Sequence, residues 1–290
     1  MESEQKFIIE MPNSFEPKHI FECGQCFRWN VEADGSYTGI FKNNVVNVKK
    51  EGKHVIFRGI CKNDIEAECR EYFDLDTDYT EIKNILSNVD DNLKKSIQYG
   101  EGIRILKQDL WETIISFIIS ANNNIPRIKG IIERLSQKYG NEIVFEGMKY
   151  YAFPTPEQLS KATVEDLRAI GLGFRDKRVY ETTKLILSKQ IDLDKLKEIT
   201  DSNILREELN KLPGVGDKVA DCIMLFSMKR FDVFPVDVWV RRVMNELYIK
   251  NADESKVNKQ QIRNLAEQKY GNLAGLAQQY LFYWKRENAS

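Results

Sequence analysis

Alternating hydrophobic and polar residues occupy much of the first sixty positions of the chain. Turn residues such as Asp34-Gly35 and Glu51-Gly52 separate short runs that are rich in β-branched and aromatic side chains. Alternation with a period of two is typical of half-buried strands, and glycine-containing pairs between such runs are typical of hairpins. The sequence therefore predicts an antiparallel meander with strands at Phe7–Met11, Phe27–Val31, Tyr37–Phe41, Val45–Val48 and His54–Arg58.

After Cys61 the spacing of the hydrophobic residues becomes helical. They recur every three or four positions, which places them on one face of a helix. The clearest sets are Leu110, Ile114, Phe117 and Ile118, followed by Ile128, Ile131, Ile132 and Leu135. Thr155-Pro-Glu-Gln158 and Thr163-Val-Glu-Asp166 have the residue types of capping boxes, which begin helices. We expect the second two-thirds of the chain to be entirely helical.

These patterns predict an α+β fold with docked parts. We expect an N-terminal antiparallel β-sheet subdomain with some helices over residues 1–104, and an all-α domain of two subdomains over residues 105–290. A chain of 290 residues is long enough for a large core and two or three subdomains. The sequence has no low-complexity linker between the two parts, so we expect them to pack against each other.

The most informative segment is Leu212-Pro-Gly-Val-Gly-Asp-Lys-Val-Ala-Asp-Cys222. Ile204–Lys211 before it has a helical pattern, and a second helix is predicted to begin at about Asp217, which gives a helix-hairpin-helix at about residues 203–227. The hairpin itself is Gly214, Val215 and Gly216. Glycines let a backbone approach another molecule closely, and the amide N–H groups at a helix N-terminus favour phosphate. Such a unit binds a nucleic-acid backbone without reading its sequence.

Three residues near this hairpin are candidates for chemistry. Lys218 offers an amine nucleophile, and Asp237 in Phe234-Pro-Val-Asp-Val-Trp239 offers a carboxylate. Cys222 lies one helical turn after Lys218 and on the same face. Two of them have an ordinary alternative. Asp237 is also a good N-cap for a helix over Val238–Leu247, and Lys218 is also compatible with a solvated helix position.

This pattern resembles the helix-hairpin-helix DNA glycosylases, in which a Gly/Pro-rich hairpin is followed by a catalytic aspartate. Asp237 matches that aspartate, and Lys218 matches the lysine of the members that also cut the DNA backbone. Further segments resemble the 8-oxoguanine DNA glycosylases in particular. They are Cys23-Gly-Gln-Cys-Phe-Arg-Trp29, Ser120-Ala-Asn-Asn-Asn-Ile-Pro-Arg-Ile128, Gly171-Leu-Gly-Phe-Arg175 and Gly275-Leu-Ala-Gln-Gln-Tyr-Leu-Phe282.

The resemblance implies how the enzyme would hold DNA whose damaged base has been flipped out. Asn122 would fill the vacated space, and Phe174 would wedge the stack of the opposite strand. Arg127 and Arg175 would hydrogen-bond to the estranged base, ideally cytosine. The alternative for both arginines is a surface charge. Pro126 departs from the family pattern and stiffens the turn, so selectivity for the opposite base is open.

The resemblance also implies a pocket for the lesion. Cys222 and Phe282 would sandwich the purine, and Gln278 would meet its Watson–Crick edge. The main-chain carbonyl of Gly24 would accept the hydrogen on N7 that 8-oxoguanine has and guanine lacks. Presenting unprotonated N7 to this carbonyl leaves two acceptors facing each other, at a cost of about 1–3 kcal/mol. The alternative for Phe282 is packing in the core.

By the same resemblance, Lys218 attacks C1′ and forms a Schiff base that permits β-elimination, while Asp237 stabilises positive charge on the sugar. A lysine with an ordinary pKa of about 10.4 is neutral in only about one molecule in 2,500 at pH 7. We therefore expect the site to lower the pKa of Lys218. Trp239 departs from the family, whose vertebrate members carry a histidine that contacts a phosphate, which puts that contact in doubt.

Cysteines and charge limit the alternatives. Cys23-Gly-Gln-Cys26 is also a redox spacing, although the strand predicted directly after it does not suit a thioredoxin-like unit. The chain has five cysteines and two histidines without a second pair at zinc spacing. No cysteine follows Asp237, where related glycosylases carry an iron–sulfur cluster. We expect no required cofactor, no zinc and no cluster.

The net charge of −1 is unevenly distributed. Residues 1–100 carry 13 Lys and Arg against 18 Asp and Glu, and the rest carries 30 against 26, so the second part is mildly basic.

The longest apolar run, Ile114–Ile119, is too short to span a bilayer. We expect a cytoplasmic monomer that acts on double-stranded DNA containing 8-oxoguanine. The alternatives are a glycosylase for another damaged base and a non-catalytic DNA-binding or redox module.

Overall fold

An antiparallel sheet begins the chain. The structure is a computed structural model that describes residues 3–11, 14–253 and 256–288. The five strands of this sheet are β1 (Gln5–Glu10), β2 (Trp29–Val31), β3 (Tyr37–Phe41), β4 (Asn44–Glu51) and β5 (His54–Ile60). Each of the five predicted strands is present, with boundaries that shift by up to three residues.

The order of the strands in the sheet is β1-β5-β4-β3-β2, and every pair is antiparallel. Strands β2 to β5 form the predicted meander, whereas β1 pairs with β5 and places Phe7 opposite Phe57. The link from β1 to β2 contains α1 (Pro17–Glu22) and the Cys23–Trp29 segment. Cys23 and Phe27 are buried in the core of the helical part and Cys26 and Trp29 in the core of the sheet, so this segment lies at the boundary between the two.

Helices dominate the remainder of the chain. Asp, Asn and Thr side chains cap many of their N-termini, as these residue types prefer to do. Both predicted capping boxes are present, at Thr155 and Thr163. The helices are α2 (Ile65–Tyr72), α3 (Tyr79–Ser87), α4 (Asp91–Tyr99), α5 (Leu110–Ser120), α6 (Ile125–Tyr139), α7 (Pro156–Leu159), α8 (Val164–Ala169), α9 (Asp176–Leu187), α10 (Leu193–Glu198), α11 (Ser202–Leu209), α12 (Asp217–Met228), α13 (Val238–Met244), α14 (Lys259–Tyr270) and α15 (Ala274–Glu287).

Two helices run through the middle of the helical part. Most residues of α5 and α12 are buried, including Ile114 and Phe117 in α5 and Cys222 and Phe226 in α12. The rings of Phe117 and Phe226 stack with their centres 5.5 Å apart. Because α5 leads into the asparagine-rich turn and α12 begins at the glycine hairpin, this packing fixes the two functional segments relative to each other.

The expectation of helix alone after residue 105 is wrong for one segment. Strands β6 (Glu142–Phe145) and β7 (Met148–Tyr151) form a hairpin, and Glu146 and Gly147 at its turn have φ angles of 49° and 76°. Two positive φ angles match the twist of a tight hairpin. Phe145 is buried with Ile40, Val45 and Ile60 of the N-terminal sheet, so burial against that sheet favours strand over helix here.

Helices α3 and α4 also contribute to the core of the helical part. Tyr79, Leu86, Leu93 and Ile97 are buried in the same hydrophobic cluster as α5 and α12. The boundary between the two domains at residues 104 and 105 stays a prediction.

No helix in the described ranges has the length and apolarity needed to cross a membrane.

Candidate active site

The glycine hairpin joins α11 to α12. Gly214 has a φ of +86°, and a Cβ atom there would lie 2.6 Å from Cδ of Arg178, so a larger residue is excluded both by backbone conformation and by space. The Val215 N–H donates to the Leu212 carbonyl at 3.0 Å, which closes the turn. Gly216 occupies the N-cap position of α12 without a side chain that could cap the helix. The N-terminal amides of α12 are therefore available to an anion.

Lys218 lies in the first turn of α12 and is half-buried. Its Nζ atom is 5.6 Å from the ring centre of Phe117, an aromatic neighbour that sequence analysis assigned only to the core. Cys222 lies one turn further along and is 4% exposed. The structure thus brings the predicted nucleophile and the predicted stacking thiol to one face of α12.

The pKa of Lys218 is raised, which contradicts the expectation that the site lowers it. The Cys222 thiolate raises this pKa most, burial lowers it, and the Asp237 carboxylate raises it further. Burial in turn raises the pKa of Cys222 to about 11, so the charge of Cys222 acts on Lys218 only at high pH, where the thiol ionises.

Asp237 caps α13 and also acts on Lys218. Its Oδ1 atom accepts a hydrogen bond from the Val240 N–H at 2.7 Å, so the ordinary N-cap interpretation is confirmed. The cap uses one carboxylate oxygen, and the residue is only half-buried. A single side chain can therefore begin the helix and supply negative charge next to the amine.

Gly24 and Phe282 meet although they lie at opposite ends of the chain. Gly24 has a φ of +89°, and a Cβ atom there would lie 3.4 Å from Cε1 of Phe282. Phe282 is half-buried on α15, whereas Gln278, one turn earlier, is 4% exposed. Nε2 of Gln279 donates to Oε1 of Gln278 at 2.8 Å, which orients the Gln278 amide. Of the residues predicted to form the lesion pocket, Gly24 and Phe282 are thus neighbours, and Gln278 lies one helical turn from Phe282.

Gln25 fixes the segment that carries Gly24, a role that sequence analysis missed. Its buried amide donates to the carbonyls of Ile20 at 2.9 Å and Arg104 at 2.8 Å, and accepts from the Leu106 N–H at 2.9 Å. Nε2 of Gln108 donates to the Gln25 carbonyl at 2.8 Å, while the Gln108 N–H donates to the Phe226 carbonyl in α12 at 2.9 Å. Hydrogen bonds thus connect the Gly24 segment to the helix of Lys218.

Arg175 supports the asparagine-rich turn through hydrogen bonds to its main chain. It is 2% exposed, and all three of its nitrogens donate to main-chain carbonyls. Nε donates to Ala121 at 2.9 Å, Nη2 donates to Ala121 at 2.6 Å and to Asn122 at 2.8 Å, and Nη1 donates to Leu172 at 3.2 Å. Asn122 itself is exposed and has a left-handed φ of 51°. Arg175 is therefore a support for Asn122 in the DNA-free protein, and its predicted contact with the opposite base stays a prediction.

Phe174 projects from the surface among cations. It is 56% exposed, and the guanidinium carbons of Arg175 and Arg178 lie 4.2 and 5.1 Å from its ring centre. Burial lowers the pKa of Arg175, and the charges of Arg127 and Arg178 lower it further. Arg127 is exposed and donates weakly to the Gly171 carbonyl at 3.4 Å. An exposed aromatic side chain surrounded by mutually repelling cations suits a polyanion.

Asp221 anchors α12 from its far side and was also missed. This carboxylate is fully buried, and its oxygens accept from Nε of Arg206 at 2.6 Å and from Nη2 of Arg263 at 3.2 Å. The other Nη of Arg263 donates to Asp217 at 2.9 Å. These pairs connect α12 to α11 and α14, and a hydrophobic residue at position 221 would remove the buried carboxylate that both guanidinium groups share.

The structure does not favour thiol chemistry at Cys23 and Cys26. Both thiols are free and buried, and their sulfurs donate to the carbonyls of Ile20 and Phe21. Burial raises the pKa of Cys23 to about 11 and that of Cys26 further. Redox cysteines need an accessible thiolate of low pKa. Over the ranges that the structure describes, no cluster of three or more His, Cys, Asp or Glu residues is placed to bind a metal.

Trp239 and Arg242 lie on α13 close to Asp237. Trp239 is 42% exposed, and the guanidinium carbon of Arg242 is 5.8 Å from its ring centre. A tryptophan donates one hydrogen bond and carries no charge. The cation in this region is thus supplied by a neighbour one turn further along the helix.

A helix-hairpin-helix whose second helix carries a half-buried lysine within range of a helix-capping aspartate defines a DNA glycosylase of the helix-hairpin-helix class. Residues 115–270 match the HhH-GPD superfamily of base excision DNA repair proteins, and residues 8–114 match the N-terminal domain of 8-oxoguanine DNA glycosylase. The chain belongs to the 8-oxoguanine DNA glycosylase family of this superfamily, which confirms the resemblance found in the sequence.

The chain is similar to known relatives over nearly its whole length. It is 31% identical to an N-glycosylase/DNA lyase of Saccharomyces cerevisiae, over 91% of this chain and 81% of the relative. It is similar to the Clostridium acetobutylicum 8-oxoguanine glycosylase/lyase in complex with double-stranded DNA containing cytosine opposite 8-oxoguanine. That structure has a TM-score of 0.92 at 45% identity and covers 100% of this chain and 99% of its own. The apo form of the same enzyme has a TM-score of 0.91 at 45% identity and covers 97% of this chain and 98% of its own.

Proposed function

We propose that this chain, by its family a DNA N-glycosylase with lyase activity, excises 8-oxoguanine, preferably opposite cytosine, and then cleaves the abasic site by β-elimination. The observation that carries the proposal is the placement of Lys218 at the start of the hairpin helix, next to the charge of Asp237. An amine in reach of C1′ allows both base release and strand cleavage through one covalent intermediate.

Double-stranded DNA would bind along the face that carries the hairpin and the asparagine-rich turn. The hairpin at Gly214, Val215 and Gly216 would receive a phosphate at its N–H groups and those of the first turn of α12, apart from the Val215 N–H, which donates to the Leu212 carbonyl. Extrusion of the nucleotide costs a few kcal/mol, and Asn122 would fill the gap while Phe174 wedges the opposite strand. The exposed positions of Asn122 and Phe174 and the buried support from Arg175 favour these roles.

The flipped base would enter the pocket between Cys222 and Phe282. The carbonyl of Gly24 would accept the N7 hydrogen of 8-oxoguanine, and Gln278 would meet the Watson–Crick edge. A backbone carbonyl distinguishes 8-oxoguanine from guanine only if its orientation is fixed. The hydrogen bonds of Gln25, the next residue, hold this segment in place.

Attack by Lys218 requires a neutral amine. An ammonium group must give up its proton, here to water, before its nitrogen can bond to C1′, and burial of the site by bound DNA disfavours the cation and so promotes this loss. The amine then displaces the base, which leaves with the electron pair of the C1′–N9 bond, and opening of the C1′–O4′ bond gives the imine. The imine permits β-elimination of the 3′ phosphate, and the carboxylate of Asp237 stabilises the positive charge on the sugar.

Base release and borohydride trapping on defined duplexes test this function. The probes are duplexes that each contain one 8-oxoguanine, hypoxanthine or alkylated purine, together with an undamaged duplex. We expect release and a trapped covalent adduct with 8-oxoguanine opposite cytosine. Preferential release of another base would instead make the protein a glycosylase for that lesion, and failure to trap an adduct with any duplex would contradict the lyase mechanism.

Arg127→Ala and Arg175→Ala should have different effects. Arg127 is exposed, so its loss should flatten the dependence on the opposite base and change stability by less than about 0.5 kcal/mol. Loss of the buried Arg175 leaves carbonyls of the turn unpaired, which should lower stability by about 2–4 kcal/mol and slow excision opposite every base. Single-turnover rates opposite C, A, G and T, together with unfolding curves, measure both effects.

The control for this pair is Arg58→Ala. Arg58 is a partly exposed arginine of the N-terminal sheet that pairs with Glu146 at 3.2 Å. Its variant should keep the parent's preference and stability. A cytosine preference that survives in Arg127→Ala would remove Arg127 from recognition of the opposite base.

A further inference from the structure

One nitrogen of the Arg286 guanidinium is buried without a hydrogen-bond partner in the described part of the chain. The other two nitrogens are held, because Nε and Nη2 donate to Oε1 of Glu287 at 3.0 and 2.9 Å and Nη2 also donates to the Glu22 carbonyl. The remaining nitrogen, Nη1, is thereby fixed in direction. Buried donors in folded proteins are nearly always satisfied, so an unpaired one beside a substrate pocket is a candidate contact for the substrate.

This nitrogen lies beside the proposed lesion pocket. A Cβ atom on Gly24 would lie 3.5 Å from Nη1 of Arg286 and 3.4 Å from Cε1 of Phe282. The guanidinium carbon is 5.4 Å from the ring centre of Phe282. Gln278, Phe282 and Arg286 follow one another at intervals of four residues on α15, which places them on one face. The unpaired donor therefore extends the row of residues that faces the base.

The edge of the base that faces Gly24 has an acceptor for this donor. If the Gly24 carbonyl accepts the N7 hydrogen, the adjacent oxygen on C8 comes close to the Arg286 side of the pocket. C8 lies between N7 and N9. When the C1′–N9 bond breaks, its electron pair leaves with the base and spreads from N9 onto O8, while Nζ of Lys218 forms the new bond to C1′. Negative charge therefore develops on O8.

We propose that Arg286 is a further catalytic residue, which donates from Nη1 to O8 of the flipped 8-oxoguanine and stabilises the departing base. This inference rests on the proposed function. A fixed cationic donor aimed at an atom that gains charge binds the transition state more tightly than the ground state. Guanine has no oxygen on C8, so the same contact adds to the discrimination made at Gly24.

Arg286→Met tests this role with three substrates. They are a duplex with 8-oxoguanine, the same duplex with sulfur in place of O8, and a duplex with a preformed abasic site. We expect single-turnover release of 8-oxoguanine to slow about 100-fold, as with the loss of one donor to a developing oxyanion. Release of the sulfur analogue should slow by a smaller factor than release of 8-oxoguanine, because sulfur accepts hydrogen bonds more weakly than oxygen. Cleavage of the abasic site, which needs Lys218 and no base, should keep its rate.

The matched control is Lys285→Met, the same substitution at the neighbouring cation, whose ammonium group pairs with Glu246 at 2.5 Å. It should behave as the parent on all three substrates. An equal loss on the oxygen and sulfur bases would show that Arg286 does not contact O8. Loss of abasic-site cleavage would show that Arg286 has only a structural role, which is to connect α15 to Glu22. A parent protein that cuts abasic DNA but releases no 8-oxoguanine would overturn the proposed function instead.

Discussion

Lys218→Gln should abolish base release, strand cleavage and the borohydride-trapped adduct together. Glutamine keeps a similar length and bulk beside Phe117 but has no nucleophilic nitrogen, so the covalent route is lost. We expect the single-turnover rate to fall on the order of 10⁴-fold or more, as removal of a nucleophile does in other covalent enzymes. Affinity for the lesion duplex should stay close to that of the parent, because the hairpin amides and the lesion pocket are intact.

The control for this variant is Lys53→Gln. Lys53 is an exposed lysine at the end of the N-terminal sheet, and it pairs with Glu10 at 2.8 Å. The same substitution there should leave all three activities unchanged. An adduct that persists in Lys218→Gln would show that another amine performs the chemistry, whereas loss of DNA binding would mean that Lys218 holds DNA rather than attacking it.

The sequence predicts much of this fold because several signals are local. The strands of the N-terminal sheet, the Thr155 and Thr163 capping boxes and the Gly214–Gly216 hairpin each depend on a few adjacent residues, and each is present in the structure. The hairpin of β6 and β7 was missed because Phe145 is buried by Ile60 and its neighbours, which are distant in sequence. Tertiary burial decides between strand and helix in such short segments.

In the candidate site too, some properties follow from the local sequence and others depend on residues that are distant in the chain. The residue types at positions 218 and 237 follow from the motif, but the direction of the Lys218 pKa shift depends on how close Cys222 and Asp237 lie in space. The sequence marks Arg175 only as a cation, although three of its four hydrogen bonds go to carbonyls more than fifty residues earlier in the chain. No local pattern marks Nη1 of Arg286, since its lack of a partner exists only after both ends of the chain have met.

Asp237→Asn should separate catalysis from helix capping at one position. Asparagine caps helices about as well as aspartate, so the Val240 N–H keeps its acceptor and stability should change by less than about 0.5 kcal/mol. The negative charge near the sugar and near Lys218 is lost, and the single-turnover rate of base release should fall on the order of 10²-fold to 10³-fold. Thermal unfolding and single-turnover release, measured on the same preparation, give both numbers.

Two further variants test whether the capping and catalytic roles of Asp237 are separate. Asp192→Asn makes the same substitution at the N-cap of α10, where Oδ1 accepts from the Asp194 N–H at 3.0 Å, and should change neither property. Asp237→Ala removes cap and charge together, so it should lose the activity and also about 1 kcal/mol of stability. Near-parental activity in Asp237→Asn would leave Asp237 as a cap alone. The positive charge on the sugar would then have to be stabilised by another group.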